Sequence, residues 1–534
     1  MIACIRRHRW LVRGGSFFVL VAIGVFLWVR WRMQGPFREY RVDTAFVSGG
    51  PETRSEGFEV GVAMRDITPD LDQYDSWVDV DGNSRFEPEK GDTWEDRNGN
   101  GRFDFVWLGG FHINRPAQGV NDPLWVRALA FRHRGTVVAL VSIDVVGLTH
   151  ERFIKTRLEL AERLPELRYV AFTATHTHNS PDTMGIWSHR PFPSRFDEGY
   201  VERVMGEARE AVIEAVAGLE PVEVTVAVGD LEPEGFVRDS REPLVYDRVL
   251  GVARFARLDG GETVATAVSW GNHPEAMGSK NPLISSDFPH YLREAMENGL
   301  EGEHGMEGFG GTCVFLQGPV GGLMTPLGLE VPDRNGQDVH RQDGVGKTRA
   351  LGENVALRAA ALLRGPAARR MEDHRIGVAA RTIFIPIEGT FRIPIMLGLI
   401  HPGWYGGKAR TEVAAMRLGE IEVLCIPGEI YPEIVDGGVE SPEGGDYPGE
   451  PVEVPPLRPQ MRGAMNWVLN LANDEVGYII PRTQWDTRAP YTYGRDEAPY
   501  GEVNSGGSEV APIVHRESLS VLARLHEHLG GAVR

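Results

Sequence analysis

Short apolar runs alternate with longer amphipathic stretches along most of the chain. Runs of strand length, most of them rich in β-branched residues, lie at 58–64, 137–146, 169–174, 222–228, 264–270, 313–316 and 422–426. Apolar positions recur at helical spacing in residues 151–164, 200–217 and 517–529. The order of these elements predicts a mixed α/β (α+β) fold with one large domain at 58–534.

The first 32 residues have a different pattern. Four arginines precede an apolar run at 17–29, a combination typical of an export signal: Arg6, Arg7, Arg9 and Arg13. The run is shorter than the ~20 apolar residues that cross a bilayer untilted, while Trp28 and Trp31 suit a membrane interface. No A-x-A-like cleavage site follows the run. We therefore expect an uncleaved signal anchor at 1–32.

Two alternatives to the anchor stay open, a cleaved signal peptide and a buried core helix. Residues 33–57 are polar and contain glycine, and we expect them to form a linker between the anchor and the body. With the anchor, the body is attached to the membrane and lies outside the cytoplasm. With a cleaved signal, the protein is secreted.

Charge and cysteine content narrow the functional classes. The formal net charge of -19 argues against a general nucleic-acid binder, because phosphate backbones are held by clustered Lys and Arg. Cys313 and Cys425 form either one disulfide or two buried thiols, so the fold does not depend on disulfides.

One internal repeat stands out in a segment at 79–104. DVDGNSRFE at 79–87 recurs as DRNGNGRFD at 96–104. Oxygen-bearing side chains stand at positions 1, 3, 5 and 9 of both copies: Asp79, Asp81, Asn83 and Glu87, then Asp96, Asn98, Asn100 and Asp104. This pattern suits a hard cation, and calcium is the natural choice. The alternative is a pair of solvated Asx turns, and in both cases the segment is structural rather than catalytic.

The candidate chemistry lies where apolar runs end in polar residues. The run at 169–174 leads into His176 and His178, and in an extended chain residues two apart project from the same face. The runs at 264–270 and 422–426 lead into His273 and Glu429. Imidazole and carboxylate groups that meet at strand ends predict a metal site in an α/β protein.

With these motifs the sequence resembles the neutral (alkaline, non-lysosomal) ceramidases, which hydrolyse the amide of N-acylsphingosine. The matching segments are GVAMRDITP at 61–69, DPLWVRA at 122–128, VSID at 141–144, ATHTHNSP at 174–181, NH at 272–273, ISSD at 284–287, QG at 317–318 and PGE at 427–429. The resemblance spans roughly residues 58–530. It implies a zinc-dependent amidohydrolase whose partner is a lipid or small-molecule amide.

The resemblance also implies a set of site residues. Zinc is held by His176, His273 and Glu429, with a tyrosine as the fourth ligand. Tyr478 is our choice because it follows NLAN at 470–473, and Tyr493 and Tyr500 are its competitors. Zinc then lowers the pKa of a coordinated water towards ~7, and this water attacks the amide.

Two further roles follow from the resemblance. His178 hydrogen-bonds the developing oxyanion or passes a proton to the leaving amine. Arg241, in SREP at 240–243, orients the substrate or stabilises negative charge, with a solvated surface arginine as the alternative.

The sequence departs from the family in two places. A serine discussed as catalytic lies in a Gly-Asp-Val-Ser-Pro segment of the family, whereas this chain has GGLMTP at 321–326, where Thr325 offers the only hydroxyl. We also expect no C-terminal immunoglobulin-like domain. The open alternatives are therefore a zinc hydrolase of other amides or esters, and a catalytically decayed, calcium-stabilised lipid-binding protein.

Overall fold

The computed structural model describes residues 2–189, 197–397, 399 and 403–530. Its α-helices in this part of the chain are α1 (Ile2–Met33), α2 (His150–Arg163), α3 (Glu198–Ala217), α4 (Phe288–Asn298), α5 (Val345–Arg364), α6 (Arg392–Met396), α7 (Pro432–Asp436), α8 (Tyr500–Val503) and α9 (Val510–His528).

The main strands form three layers. The first layer contains Glu59–Asp66, Trp125–His133, Thr136–Ile143 and Leu167–Ala174. The second contains Glu220–Asp230, Val249–Arg257, Thr263–Trp270 and Thr312–Gln317, with Arg369–Arg370 beside its first strand. The third contains Asp43–Val47, Ile376–Pro386, Lys408–Leu418, Ile421–Cys425 and Met465–Leu469. The first two layers belong to one nine-stranded sheet, joined at Glu59↔Pro221 and Val60↔Glu220.

One central apolar core lies between the three layers, and it explains why the strands appear as continuous apolar runs. In Trp125–His133, Leu129 and Phe131 face this core, while Val126 and Ala130 pack in a second cluster together with α3. A strand that is buried on both faces needs apolar residues at successive positions. The period-2 alternation of a half-exposed strand is therefore lost in the middle of the sheet.

Helices cover the outer face of each layer. α3 packs on the first layer, α4 and α5 pack on the second, and α9 packs on the third. The approach of α3 is close, since a Cβ at Gly61 would lie 2.0 Å from the carbonyl oxygen of Ala215. This glycine opens the GVAMRDITP motif at 61–69. A side chain there would clash with α3, so close packing explains why the position is glycine.

Each layer also contains one parallel strand pair. The pairs are Thr136–Ile143 with Leu167–Ala174, Thr263–Trp270 with Thr312–Gln317, and Ile421–Cys425 with Met465–Leu469. The first two pairs are crossed by α2 and α4 respectively. Since parallel strands have their carboxyl ends at the same edge, each layer presents two adjacent loops there.

The predicted strands and helices are present, with ends shifted by up to a few residues except for the last helix. That helix begins at Val510, seven residues earlier than the expected range of 517–529. The mixed α/β fold in one domain is therefore confirmed for the described residues, which stop before 531–534.

One prediction differs from the structure, and one of two open alternatives is excluded. Within the expected linker at 33–57, Asp43–Val47 pairs antiparallel with Ile376–Pro386, so this part belongs to the body. This short run of β-favouring residues forms the edge strand of the third layer. The sequence alone did not indicate that a sheet edge would be available to it. A Cys313–Cys425 disulfide is wrong, because both residues are buried free thiols in strands of different layers.

The N-terminal segment forms α1. No helix among the described residues is both long enough and apolar enough to cross a membrane. The anchor at 1–32 stays a prediction.

Candidate metal centre and its cavity

The first two histidines of the site lie in a loop after Leu167–Ala174. The backbone of His176 has φ +68°, in the left-handed region, so the chain there is not extended and the same-face argument for residues two apart is wrong. The loop is held by the first layer, because the N–H of Thr175 donates to Ile143 and that of His176 donates to Val145. A non-glycine residue in this region is strained, and such strain is common at functional sites.

Backbone hydrogen bonds join the three layers at the site. The N–H of His178 donates to the carbonyl of Pro274, that of Ala174 to Leu471, and that of Asn470 to Gln317. Each bond connects loops or strand ends of two different layers. The side chains that follow these strands therefore meet although they are far apart in sequence.

Two imidazoles and one carboxylate converge at this meeting point. The Nε2 atoms of His273 and His176 lie 3.1 Å and 3.5 Å from the same Glu429 oxygen, Oε2. Their Nδ1 atoms lie 2.7 Å and 2.6 Å from the carbonyl oxygens of Met324 and Val146. An Nδ1–H that donates to a carbonyl fixes the tautomer and leaves the Nε2 lone pair for a cation. The donor set therefore fits a metal ion such as zinc.

The electrostatics of the metal-free cluster agree with this assignment. Burial raises the pKa of Glu429, but the imidazoles of His176 and His273 outweigh it and hold that pKa well below the ordinary value. Burial lowers the pKa of His176, and Glu429 more than compensates and raises it to about 9. Positive charge is thus stabilised at this point, which is what a cation site requires.

A second set of possible ligands is also present at this point. His176, His178 and His273 each offer one nitrogen, and these three atoms lie within 4.8 Å of one another. The Nε2 atoms of His176 and His178 are 3.4 Å apart. His178 is therefore close enough to be either a ligand or a partner of a group bound beside the metal.

Glu275 holds the other side of His178, and sequence reasoning missed it. Its Oε2 lies 3.0 Å from Nδ1 of His178, and its Oε1 accepts a hydrogen bond from the hydroxyl of Thr325. Burial raises the pKa of Glu275, but His178 and His273 lower it to about 2. The only signal in the sequence was its position two residues after His273.

Gly110 allows His178 to take this position. Its φ is +98°, and a Cβ there would lie 2.3 Å from Cγ of the imidazole. Burial, offset in part by Glu275, lowers the pKa of His178 to about 4. The ring is therefore neutral at pH 7, with one nitrogen free to accept a proton.

Tyr478 is brought to the cluster by the third layer. The short strands Glu429–Ile430 and Tyr478–Ile479 pair in parallel, with Glu429 opposite Tyr478. Burial, then the charge of Glu429, raises the pKa of Tyr478 well above its ordinary value. Tyr500 lies beside it, with ring centroids 6.1 Å apart, whereas Tyr493 is exposed and donates to Glu440. Of the two competitors, only Tyr500 lies near the site.

Arg241 and Thr325 are not among the residues that line the cavity. Arg241 is buried and pairs with Glu502 at 2.7 Å, and its guanidinium lies 5.2 Å from the ring centroid of Tyr431. The alternative of a solvated surface arginine is therefore wrong. Thr325 reaches the site through Glu275 rather than directly.

A cavity of about 120 Å³ lies beside the cluster. The polar residues of its lining are His176, His178, Glu429, Glu475, Tyr478, Tyr500 and Asn504. Its remaining wall is mainly apolar: Val146, Met184, Ile186, Trp187, Ile387, Phe391, Ile395 and Val476. Glu475 is a second residue that sequence reasoning missed, although it lies three residues before Tyr478.

The paired loops at 79–104 lie on the surface. Asp79 accepts hydrogen bonds from the backbone of Gly82, Asn83 and Ser84, and Asp96 accepts them from Asn100 and Gly101. These are Asx-type turns, and they are compatible with both alternatives for the segment. Calcium binding there stays a prediction.

Comparisons with known proteins find solved structures of similar fold. No protein-family model matches the chain, and no curated protein sequence matches it. The crystal structure of a neutral ceramidase from Pseudomonas aeruginosa is similar, with a TM-score of 0.62 and 15% identity over 90% of this chain and 75% of that one. A ceramidase structure described as complexed with C2 has a TM-score of 0.61 and 16% identity over 89% and 76% of the two chains. At this identity the likeness shows a ceramidase-like fold.

Proposed function

We propose that this chain is a zinc-dependent hydrolase that cleaves the amide bond of N-acyl lipids such as ceramide. One observation carries the proposal: two imidazoles and a carboxylate converge beside a cavity whose lining is mainly apolar outside the polar groups near them. The two structures of similar fold are those of ceramidases, which supports the choice of substrate class.

The apolar wall of the cavity is the feature that favours an acyl chain. Trp187, Phe391 and Ile395 line the space together with the polar groups of the cluster. A substrate with an apolar chain and one polar reacting group matches this lining. Its chain is buried against apolar side chains, and its reacting group is buried against polar ones.

The metal ligands in the proposal are His176, His273, Glu429 and Tyr478. Zinc, when bound, supplies Lewis acidity to the substrate carbonyl and to a water molecule. The three layers hold these side chains from separate strand ends, so their positions are fixed by the packed core rather than by a mobile loop.

His178 carries the proton in this proposal. Its Nδ1 lies 3.0 Å from Oε2 of Glu275, and in this proposal Nδ1 carries the hydrogen, so that the lone pair of Nε2 is available on the side of the cluster. Nε2 then accepts the proton of the attacking water and returns it to the nitrogen of the leaving amine. Glu275 acts as a positioning residue, because it holds the tautomer and the ring plane without touching the substrate.

Other acyl amides or esters form a second candidate substrate class, because the segment at 321–326 differs from the corresponding serine-containing segment of the ceramidases. Thr325 is bonded to Glu275 and is not among the residues that line the cavity, so no hydroxyl of this segment offers a nucleophile there. A hydrolase of other acyl amides or esters would use the same metal and the same proton carrier.

The test is turnover by metal-stripped protein to which zinc is returned. We expect zinc-loaded protein to release fatty acid from long-chain N-acylsphingosine, with His273→Gln inactive and the exposed His304→Gln unaffected. Faster cleavage of short acyl amides or esters would favour the second class. Retained ceramide binding with no turnover of any substrate would contradict the proposal and favour a decayed lipid-binding protein.

The location of the body outside the cytoplasm is also part of the proposal. It rests on the arginine-flanked apolar run at 17–29. Protease added to intact cells should cleave the body of the protein, and protection of the body until the cells are lysed would contradict this location.

A further inference from the structure

A short helix borders the cavity, and its segment presents apolar side chains both to the cavity and to solvent. On α6 and the turns flanking it, Phe391 and Ile395 line the cavity, while Ile393, Leu397 and Leu399 are 63%, 57% and 47% exposed. We call these last three residues the outer face of α6. Large apolar side chains that are exposed together in a short segment mark an interaction surface more often than isolated ones do.

The C-terminal end of α1 reaches the same wall of the cavity. The N–H of Trp404 donates to the carbonyl of Met33 at 2.8 Å, and Trp404 forms a β-bridge with Ala409, which lines the cavity. The hydroxyl of Tyr405 donates to the carbonyl of Gln34 at 3.3 Å. α1 therefore leaves the body beside the wall to which α6 belongs.

The charge around this wall is opposite in sign to that of the whole chain. Residues 389–410 contain no Asp or Glu, Arg392 and Lys408 in this segment are exposed, and one exposed acidic residue, Glu388, directly precedes it. Residues 30–41 contain four arginines and one acidic residue, Glu39. In a chain with a formal net charge of -19, this is a local basic region.

We propose that the outer face of α6, together with the basic residues around it, docks on an anionic lipid bilayer. Apolar side chains next to Lys and Arg are the combination that lies at a membrane interface, and attraction between basic residues and anionic headgroups adds to the burial of the apolar ones. A second copy of the chain is a poorer occupant, because the same basic residues would face each other. The proposal concerns binding and does not depend on hydrolysis.

The experiment uses the full chain with an environment-sensitive nitrobenzoxadiazole label. Cys4→Ser removes the thiol outside the body, Cys313 and Cys425 are buried, and the label is attached at Ile393→Cys. The matched control is Leu258→Cys, which is 59% exposed at the turn after Val249–Arg257, far from the strand ends that form the site. The probe membranes are phosphatidylcholine vesicles with about one third phosphatidylglycerol, and phosphatidylcholine alone.

We expect a blue shift and a severalfold rise in emission at position 393 with the anionic vesicles, a smaller response with phosphatidylcholine alone, and none at position 258. Protein that sediments with vesicles but shows no change at position 393 would overturn the proposal, because another surface then contacts the bilayer. A change at position 393 that depends on protein concentration without vesicles would also overturn it in favour of self-association. Each outcome is independent of turnover.

Discussion

Two regions of this protein gather side chains that suit metal ions, and they are built in opposite ways. At the metal centre, His176, His273 and Glu429 come from three layers and are almost fully buried. At the paired loops of 79–104, all oxygen-bearing side chains come from one short stretch, and Asp79 and Asp96 accept hydrogen bonds from their own turns. The first region depends on the whole fold, whereas the second depends on local sequence.

The two regions differ in how the charges of their carboxylates are stabilised. Glu429 is deprived of water, and its charge must be matched by neighbouring imidazoles and a cation. The loop carboxylates stay largely solvated. A cation bound there replaces water molecules and does not compensate a buried charge. We therefore expect large effects from changes at the centre and small effects from changes in the loops.

The largest expected effect is the loss of the metal. His176→Ala should lower zinc affinity by more than about 100-fold, because even outer-sphere partners of metal ligands contribute about 10- to 100-fold. Asp96→Asn, the matched change in the loops, should leave zinc affinity unchanged. Zinc content after dialysis against a weak chelator measures both, and equal zinc in the two variants would remove the distinction between the regions.

The cost of burying a carboxyl group outside the metal centre can be measured at Glu433, four residues after Glu429. Burial raises the pKa of Glu433 to about 7, against a partly offsetting hydrogen bond from Gln484. A raised pKa means that the stabilising contribution is fully present below pH ~4.5 and is lost as the pH rises through ~7. Wild-type stability should fall over this range by up to about 3 kcal/mol more than that of Glu433→Gln.

Urea unfolding at pH 5 and pH 8 measures this difference in pH dependence. The exposed Glu450→Gln is the control and should behave as wild type. If Glu433→Gln has the same pH dependence as wild type, the buried carboxyl group does not carry the proton assigned to it.

A smaller effect is expected from Glu275, which supports the centre without binding the metal. Glu275→Gln should lower kcat by about 10- to 100-fold with little change in KM or zinc content, because the tautomer of His178 is no longer fixed. Glu275→Asp should recover part of the rate. Lost zinc in Glu275→Gln would mean that the residue supports the ligands rather than the proton carrier.

The smallest effect is expected in the loops themselves. Millimolar calcium should raise the Tm of wild type by a few degrees, because a ligand that binds only the folded state stabilises it by mass action. The double variant Asp79→Asn with Asp96→Asn should lose this rise. A Tm of wild type that does not respond to calcium would make the calcium prediction wrong and leave a pair of Asx turns.

The same contrast explains what could be predicted from the sequence. Runs such as 169–174 and 264–270 predict strands because they are apolar and β-branched, and the polar residues that follow them predict a site. The paired loops at 79–104 were visible because their pattern is local. These features need no knowledge of which strands are neighbours.

Other features depend on contacts between distant segments. Glu275 is important through His178, a residue nearly a hundred positions earlier, and its position two residues after His273 does not indicate that contact. Asp43–Val47 becomes a strand only because Ile376–Pro386 offers it an edge. Tyr478 could be preferred over Tyr500 in the sequence only through the family resemblance, and both lie at the cavity.

The central claim is that zinc binds where the three layers meet, and anomalous X-ray diffraction at the zinc edge tests it most directly. The account predicts one strong anomalous peak within bonding distance of Nε2 of His176, Nε2 of His273 and a carboxylate oxygen of Glu429, with the side chain of Tyr478 beside it. A peak bound by the three histidines without Glu429 would change the ligand set. No peak at this point in active, zinc-supplied protein would contradict the account.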